Sequence, residues 1–141
     1  MKDSLKAGIT HRFRFSVNAS KTVPALFPEA TEFNVMPKVL ATGFMVGFVE
    51  WTCIQAVNPH IDWPNEQTVG VHVNLNHLAA TPPGMEIQVE VKLTEVAGRK
   101  LVFDISVRDD VDLICTGTHE RFVIDAAKFN QKLAQKAAGL K

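Results

Sequence analysis

The stretch Ala41-Thr42-Gly43-Phe44-Met45-Val46-Gly47-Phe48-Val49-Glu50-Trp51-Thr52-Cys53-Ile54-Gln55-Ala56-Val57 governs how the rest of this chain must be arranged. Phe44, Met45, Phe48, Val49, Trp51, Thr52 and Cys53 recur at helical spacing without a proline, which predicts one long helix over 41–57. Asn58-Pro59 ends it, because proline cannot continue a helix and biases its predecessor away from helical dihedrals. A helix apolar on almost every side must be wrapped by other elements. Its one charge, Glu50, is the only charged residue between Lys38 and Asp62.

Before this helix, Ile9, His11, Phe13, Phe15 and Val17 alternate with Thr10, Arg12, Arg14 and Ser16, the period of a half-buried strand. Pro24, Pro28 and Pro37 make 20–38 an irregular or briefly helical connection, a lid candidate. After the helix the period changes to two. Val69, Val71, Val73 and Leu75 mark one strand, Met85 to Val96 a second, Leu101 to Val107 a third and Leu113 to Ile124 a fourth. The short links Ala97-Gly98-Arg99 and Asp109-Asp110-Val111-Asp112 predict antiparallel hairpins, and a tail helix runs from about Ala126 to Lys136. One apolar helix followed by a meander with one apolar face is best buried by curling the sheet around the helix. The predicted class is therefore α+β, a hot-dog fold in a single domain over 1–141. An open sheet edge and a partly open helix predict a homodimer.

The 141 residues carry 15 Lys+Arg against 15 Asp+Glu, and this balance gives no basic field to gather phosphates, so nucleic acid is not an expected partner. With 46% hydrophobic and 21% charged residues the chain can bury a core, which argues against disorder. Glu50 and Asn58-Pro59-His60 interrupt the only long apolar stretch, so no membrane span is expected. The polar opening Met1-Lys2-Asp3-Ser4-Leu5-Lys6 does not read as a signal peptide, and Cys53 and Cys115 do not form a C-x-x-C pair. A cytoplasmic protein with two buried thiols is the expectation.

Several residues invite a chemical reading, each beside a plainer one. Burial of Glu50 in an apolar helix would suit a general base or nucleophile, whereas a wet stripe on that helix would leave it structural. Thr42 stands where the helix begins, and its plain role is to cap it by accepting from the Met45 amide. Thr42 and Glu50 are eight positions apart, about 12 Å of helical rise, so they cannot touch within one straight helix. His77, before the proline-rich turn Leu78 to Gly84, is a proton-transfer group or a turn residue. Gly70 marks a bulge in the valine strand or a close approach to a ligand. Gly43 and Gly47 offer a flat packing patch. Lys128, Lys132 and Lys136 form a solvated row with Lys141 beyond, or a phosphate-attracting one. No G-x-S-x-G, P-loop, dinucleotide fingerprint or metal-ligand cluster occurs, and neither does a D-x-x-x-x-H segment suited to a hot-dog hydratase.

Taken together, Thr42-Gly43-Phe44-Met45-Val46-Gly47 with Glu50-Trp51, His77-Leu78-Ala79-Ala80-Thr81-Pro82-Pro83-Gly84 and Gly117-Thr118-His119-Glu120-Arg121 resemble the fluoroacetyl-CoA thioesterase-like family of hot-dog enzymes. The resemblance implies hydrolysis of a short acyl-CoA at a homodimer interface by a set mapping onto Thr42, Glu50 and His77, without metal or redox cofactor. It also implies that Gly70 holds the thioester oxygen and that Arg121 helps bind coenzyme A. In the lid Phe33 is present, but Met36 stands where a second phenylalanine is expected. A flexible thioether removes an aromatic wall, so the resemblance carries the reaction class further than the choice of acyl group. The alternative on the same fold is a non-catalytic acyl-CoA-binding module.

Overall fold

The computed structural model describes residues 1–139. Strand β1 (Thr10–Ser16) leads into a lid of two 3-10 turns, Ala19–Lys21 and Val23–Ala25, and a single-turn helix α1 (Thr31–Asn34). Helix α2 (Thr42–Val57) follows and passes into a 3-10 turn at Asn58–His60, where Pro59 stops the α-helical pattern. Strands β2 (Glu66–Leu75), β3 (Glu86–Ala97), β4 (Lys100–Arg108) and β5 (Leu113–Asp125) then complete one sheet, and helix α3 (Ala126–Ala137) ends the described chain.

The sheet is antiparallel in the order β1-β3-β4-β5-β2. β2 is therefore an edge strand beside β5 and not the first member of a meander with β3. The reason lies in 76–84, whose prolines cannot extend a hairpin ladder. That segment instead crosses the sheet end, bonding through Leu78 N–H to the Ile114 carbonyl (2.7 Å), through the Thr81 carbonyl to Leu40 N–H (2.8 Å) and through Gly84 N–H to the Val17 carbonyl (2.8 Å). The buried Thr81 hydroxyl donates to Asp109 Oδ2 at 2.8 Å, tying the crossing to the β4–β5 turn.

The core lies between α2 and the concave face of the sheet. Ile87, Val89, Leu93, Leu101, Phe103 and Val107 are fully buried there against Met45, Val49, Cys53 and Val57. Each such aliphatic or aromatic side chain stabilises the fold by about 1.5–3 kcal/mol relative to leaving it in water. Trp51 sets its ring edge-on to Phe13 at 4.7 Å, which pins α2 to β1. This is the expected hot-dog arrangement.

Two expectations about faces need correction. First, α2 is not wrapped all round: Gly43, Gly47 and Trp51 are exposed and Glu50 half-buried, since one five-stranded sheet covers only one flank of the helix. A Cβ at Gly47 would meet nothing within 4 Å and one at Gly43 only Leu26, so within this chain the glycine pair is an open flat strip. Second, the β2 valines do not form one inward face. Thr68 and Gly70 pair with the inward Val123 and Arg121, whereas Val69 pairs with the exposed Phe122. The register shifts between Gly70 and His72, after which Val73 and Leu75 pair with His119 and Gly117. A bulge adds one residue and so reverses which parity faces inward.

Helix α3 is capped by Asp125, whose Oδ1 accepts from the Lys128 amide at 3.0 Å. Lys128, Lys132 and Lys136 are exposed along it, and Lys141 lies outside the described residues. Among the described residues, no helix is long and apolar enough to cross a membrane.

Candidate active site

Helix α2 carries hydrogen-bonded polar side chains at two levels. At its N-terminal end the capping position belongs to Ala41, whose carbonyl accepts from the Met45 amide at 2.9 Å. Thr42 is thus the first helical residue and not the cap, which frees its hydroxyl for a side-chain partner. That partner is His77, delivered by the segment that leaves β2: Thr42 Oγ1 and His77 Nδ1 share a hydrogen bond of 2.8 Å. His77 Nε2 is buried and has no hydrogen-bond partner among the described residues. An unpaired buried nitrogen costs about 1–3 kcal/mol, a standing incentive to bind a polar group. Burial also pulls the imidazole pKa below its ordinary value, so His77 stays neutral further into acid than a free histidine. A hollow of about 360 Å³ opens beside the pair, walled by Val23, Val39, Leu40, Leu78, Ala79 and Ala80.

Two turns further along α2 is Glu50. It is not isolated in apolar surroundings: its Oε2 accepts from Arg121 Nη1 at 2.8 Å, and 40% of its side chain remains exposed. Arg121 comes from β5, where inward-facing positions alternate, and it is only 2% exposed. Its Nε donates to Thr68 Oγ1 at 2.9 Å, its Nη2 to the Thr68 carbonyl at 2.8 Å and its Nη1 also to His119 Nε2 at 3.1 Å. A guanidinium so enclosed points at Glu50 and away from solvent. Gly70 faces the same carboxylate. A Cβ there would lie 2.8 Å from Glu50 Oε2, so the glycine makes the approach of the carboxylate to β2 possible. The bulge read from the sequence is present between Gly70 and His72.

Among the described residues no hydrogen bond joins Glu50 to Thr42 or His77, and their separation along α2 is about 12 Å. In the lid, Phe33 stacks on Phe27 with ring centroids 5.8 Å apart, and Met36 is 44% exposed. Neither lines the hollow beside Thr42. Cys53 is buried, with its thiol pushed up to about 12 chiefly by desolvation, which keeps it a protonated core residue and not a nucleophile. Among the described residues no three His, Cys, Asp or Glu side chains converge as metal ligands. Sequence reasoning passed over Thr68 and gave His119 no role. The signal available was the two-residue spacing of His119 and Arg121 on one strand, which puts both on one face.

A half-exposed carboxylate braced by a buried cation, on the same helix as a Thr–His pair beside a small hollow, is a constellation for attack on an acyl group. The family model described as fluoroacetyl-CoA-specific thioesterase matches residues 17–127. The chain belongs to this family. The fluoroacetyl-CoA thioesterase of Streptantibioticus cattleyicolor is 46% identical over 136 residues, covering 96% of this chain and 97% of that one. The solved structure of a point mutant of the fluoroacetyl-CoA enzyme FlK in complex with acetyl-CoA superposes with a TM-score of 0.90 at 44% identity, covering 94% of this chain and 98% of that one. A hot-dog-like protein from Thermanaerovibrio acidaminovorans shares the fold at a TM-score of 0.78 and 18% identity, over 92% of this chain and 91% of that one. Within the fluoroacetyl-CoA-specific thioesterase family frame, this chain is a thioester hydrolase.

Proposed function

We propose that this thioester hydrolase cleaves short-chain acyl-CoA, fluoroacetyl-CoA among the candidates, with Glu50 as nucleophile or general base. The observation that carries the reading is the Glu50 carboxylate, held 2.8 Å from the buried Arg121 guanidinium on the open flank of α2. In the covalent route a Glu50 oxygen bonds to the thioester carbon, the C–S bond breaks, and water hydrolyses the resulting anhydride. In the general-base route Glu50 takes a proton from water as the water oxygen bonds to the same carbon. Either way negative charge develops on the carbonyl oxygen, which the Gly70 amide would receive, and coenzyme A leaves as a thiolate. Thr42 orients the reacting group. His77, neutral and with a free buried Nε2, handles the water and the proton that the thiolate takes up. No metal or redox cofactor enters this scheme, since coenzyme A is part of the substrate.

The active assembly in this proposal is a homodimer. Thr42 with His77 and Glu50 with Arg121 are two half-sites in one chain, so a second copy is needed to bring unlike halves together. The open flank of α2 and the edge strand β2, with Val71 53% and Val73 47% exposed, are the surfaces available for it. The hollow of about 360 Å³ suits a small acyl group. The two buried free thiols fit the reducing cytoplasm, which we take as the working location.

A panel of acyl-CoA esters assayed for thiol release tests the reading. Short esters should turn over, and Glu50→Ala should lower kcat by about 10²–10⁴-fold; wild-type turnover by that variant would overturn both routes. Turnover in heavy-oxygen water then separates them, because label enters the Glu50 carboxylate only through an anhydride.

A further inference from the structure

The Arg121 guanidinium is held from three sides beneath the site, and its hydrogen bonds determine the state of a histidine outside the Thr42, Glu50 and His77 set. His119 is 1% exposed. Its Nδ1 lies 2.8 Å from the His72 carbonyl oxygen, and its Nε2 lies 3.1 Å from Arg121 Nη1. A carbonyl oxygen only accepts and a guanidinium only donates. His119 must therefore carry its proton on Nδ1 and offer Nε2 as a bare acceptor. Nη1 is then shared between His119 Nε2 and Glu50 Oε2, while Nε and Nη2 are fixed by the Thr68 hydroxyl and carbonyl. Four of the five guanidinium N–H groups have partners, so the cation can neither rotate nor slide without breaking a buried hydrogen bond.

We infer that His119 and Thr68 are positioning residues for the thioesterase reaction: they lock the Arg121 guanidinium, which in turn fixes the Glu50 carboxylate against Gly70. The inference rests on Glu50 being the reacting group, as proposed above. His119, in the neutral Nδ1–H form, does this without touching substrate. Its surroundings favour that form. Desolvation is the largest influence holding its pKa down and Arg121 on β5 adds to it, against the His72 carbonyl on β2 and the Glu50 carboxylate on α2, which pull the other way. The same imidazole bonds the backbone just past the β2 register shift, so one side chain contacts both the β2 bulge and Arg121. Loss of the Nε2 acceptor leaves Nη1 one partner short, and the guanidinium can then tilt. A carboxylate misplaced by about 1 Å can cost about 10²-fold in rate.

Steady-state kinetics of His119→Leu, His119→Gln and Thr68→Val, with fold checked by circular dichroism, test this. His119→Leu should lower kcat by about 10- to 100-fold while KM moves less than about threefold, the pattern of an interaction that acts in the transition state. His119→Gln, whose amide oxygen can accept from Nη1, should recover most of that loss. Thr68→Val removes only the hydroxyl acceptor of Nε and should show the same split if His119→Leu fails to fold. Nitrogen-15 NMR of the wild-type imidazole gives a readout independent of turnover, and should report the neutral Nδ1–H tautomer for His119. A folded His119→Leu or Thr68→Val with wild-type kcat, or an Nε2–H tautomer in the wild type, overturns the inference. Glu50→Gln assayed in parallel separates the two levels. Full turnover there defeats the Glu50 reading, whereas a dead Glu50→Gln beside a fully active His119→Leu defeats this inference alone.

Discussion

The Glu50 carboxylate is positioned from two directions, by a cation that pulls it and by a glycine that makes room for it. Arg121 holds Oε2 at 2.8 Å, and at Gly70 a methyl group would lie 2.8 Å from the same oxygen. Gly70→Ala should therefore displace the carboxylate and lower kcat by about 10-fold or more without unfolding the protein, measured by thiol release beside a melting curve; an unchanged kcat would show that the close approach has no catalytic consequence. His77 leads to a pH prediction. Its folded pKa lies below the ordinary value of 6.5 because burial disfavours the imidazolium. With a depressed pKa, the neutral form and the stability it contributes are present above the unfolded value and lost as pH falls through the folded one. The His77-dependent acid limb of kcat/KM should thus lie below pH 6.5, and His77→Gln should remove it; a limb above 6.5 would contradict the assignment. Glu50 was conspicuous in the sequence because it is the one charge in a long apolar run. Its pairing with Arg121 was not: the resemblance marked Arg121 for coenzyme A, and only the fold shows that it also reaches Glu50. The role of His119 was illegible for the same reason, since its tautomer is set by a carbonyl on β2, 47 residues away.

Among the elements, α2 was the most legible, because 16 residues without proline and with apolar side chains at helical spacing leave few alternatives to a helix. β1, β3 and β4 followed from their alternation. β2 was the exception. Its four alternating apolar residues read as a single face, but the register shifts between Gly70 and His72, so that Thr68 and Gly70 pair with Val123 and Arg121 before the bulge and Val73 and Leu75 with His119 and Gly117 after it, where Val73 stays 47% exposed. A bulge leaves no mark in hydrophobic periodicity beyond the glycine itself. The pairing of β2 with β5 is secured by a second glycine. Gly117 has φ +145°, and a Cβ there would fall 2.1 Å from the Asn74 carbonyl oxygen. Gly117→Ala should destabilise the fold by about 3 kcal/mol, seen as a lower urea midpoint at unchanged m-value. An unchanged midpoint would mean that β2 can separate from β5 at this point without cost.

At the scale of the molecule, the zero net charge conceals an uneven distribution: lysines stand exposed along α3, while Arg121 is buried against Glu50 of α2. The sequence spacing already indicated that Thr42 and Glu50 cannot meet on one straight helix, and the fold keeps them apart, each with its own partner, on an uncovered helix flank. That geometry makes the two-copy assembly testable by complementation. Glu50→Ala and the double variant Thr42→Ala, His77→Ala each lack one half-site. If Glu50 of one copy acts with Thr42 and His77 of the other, mixed dimers contain one intact site, and random exchange should restore about a quarter of wild-type thiol release. The most direct measurement is acyl-CoA thiol release by each variant alone and by the two after co-refolding. The account predicts two inactive proteins whose mixture regains activity; wild-type turnover by either variant alone, or a folded mixed dimer without activity, would contradict it.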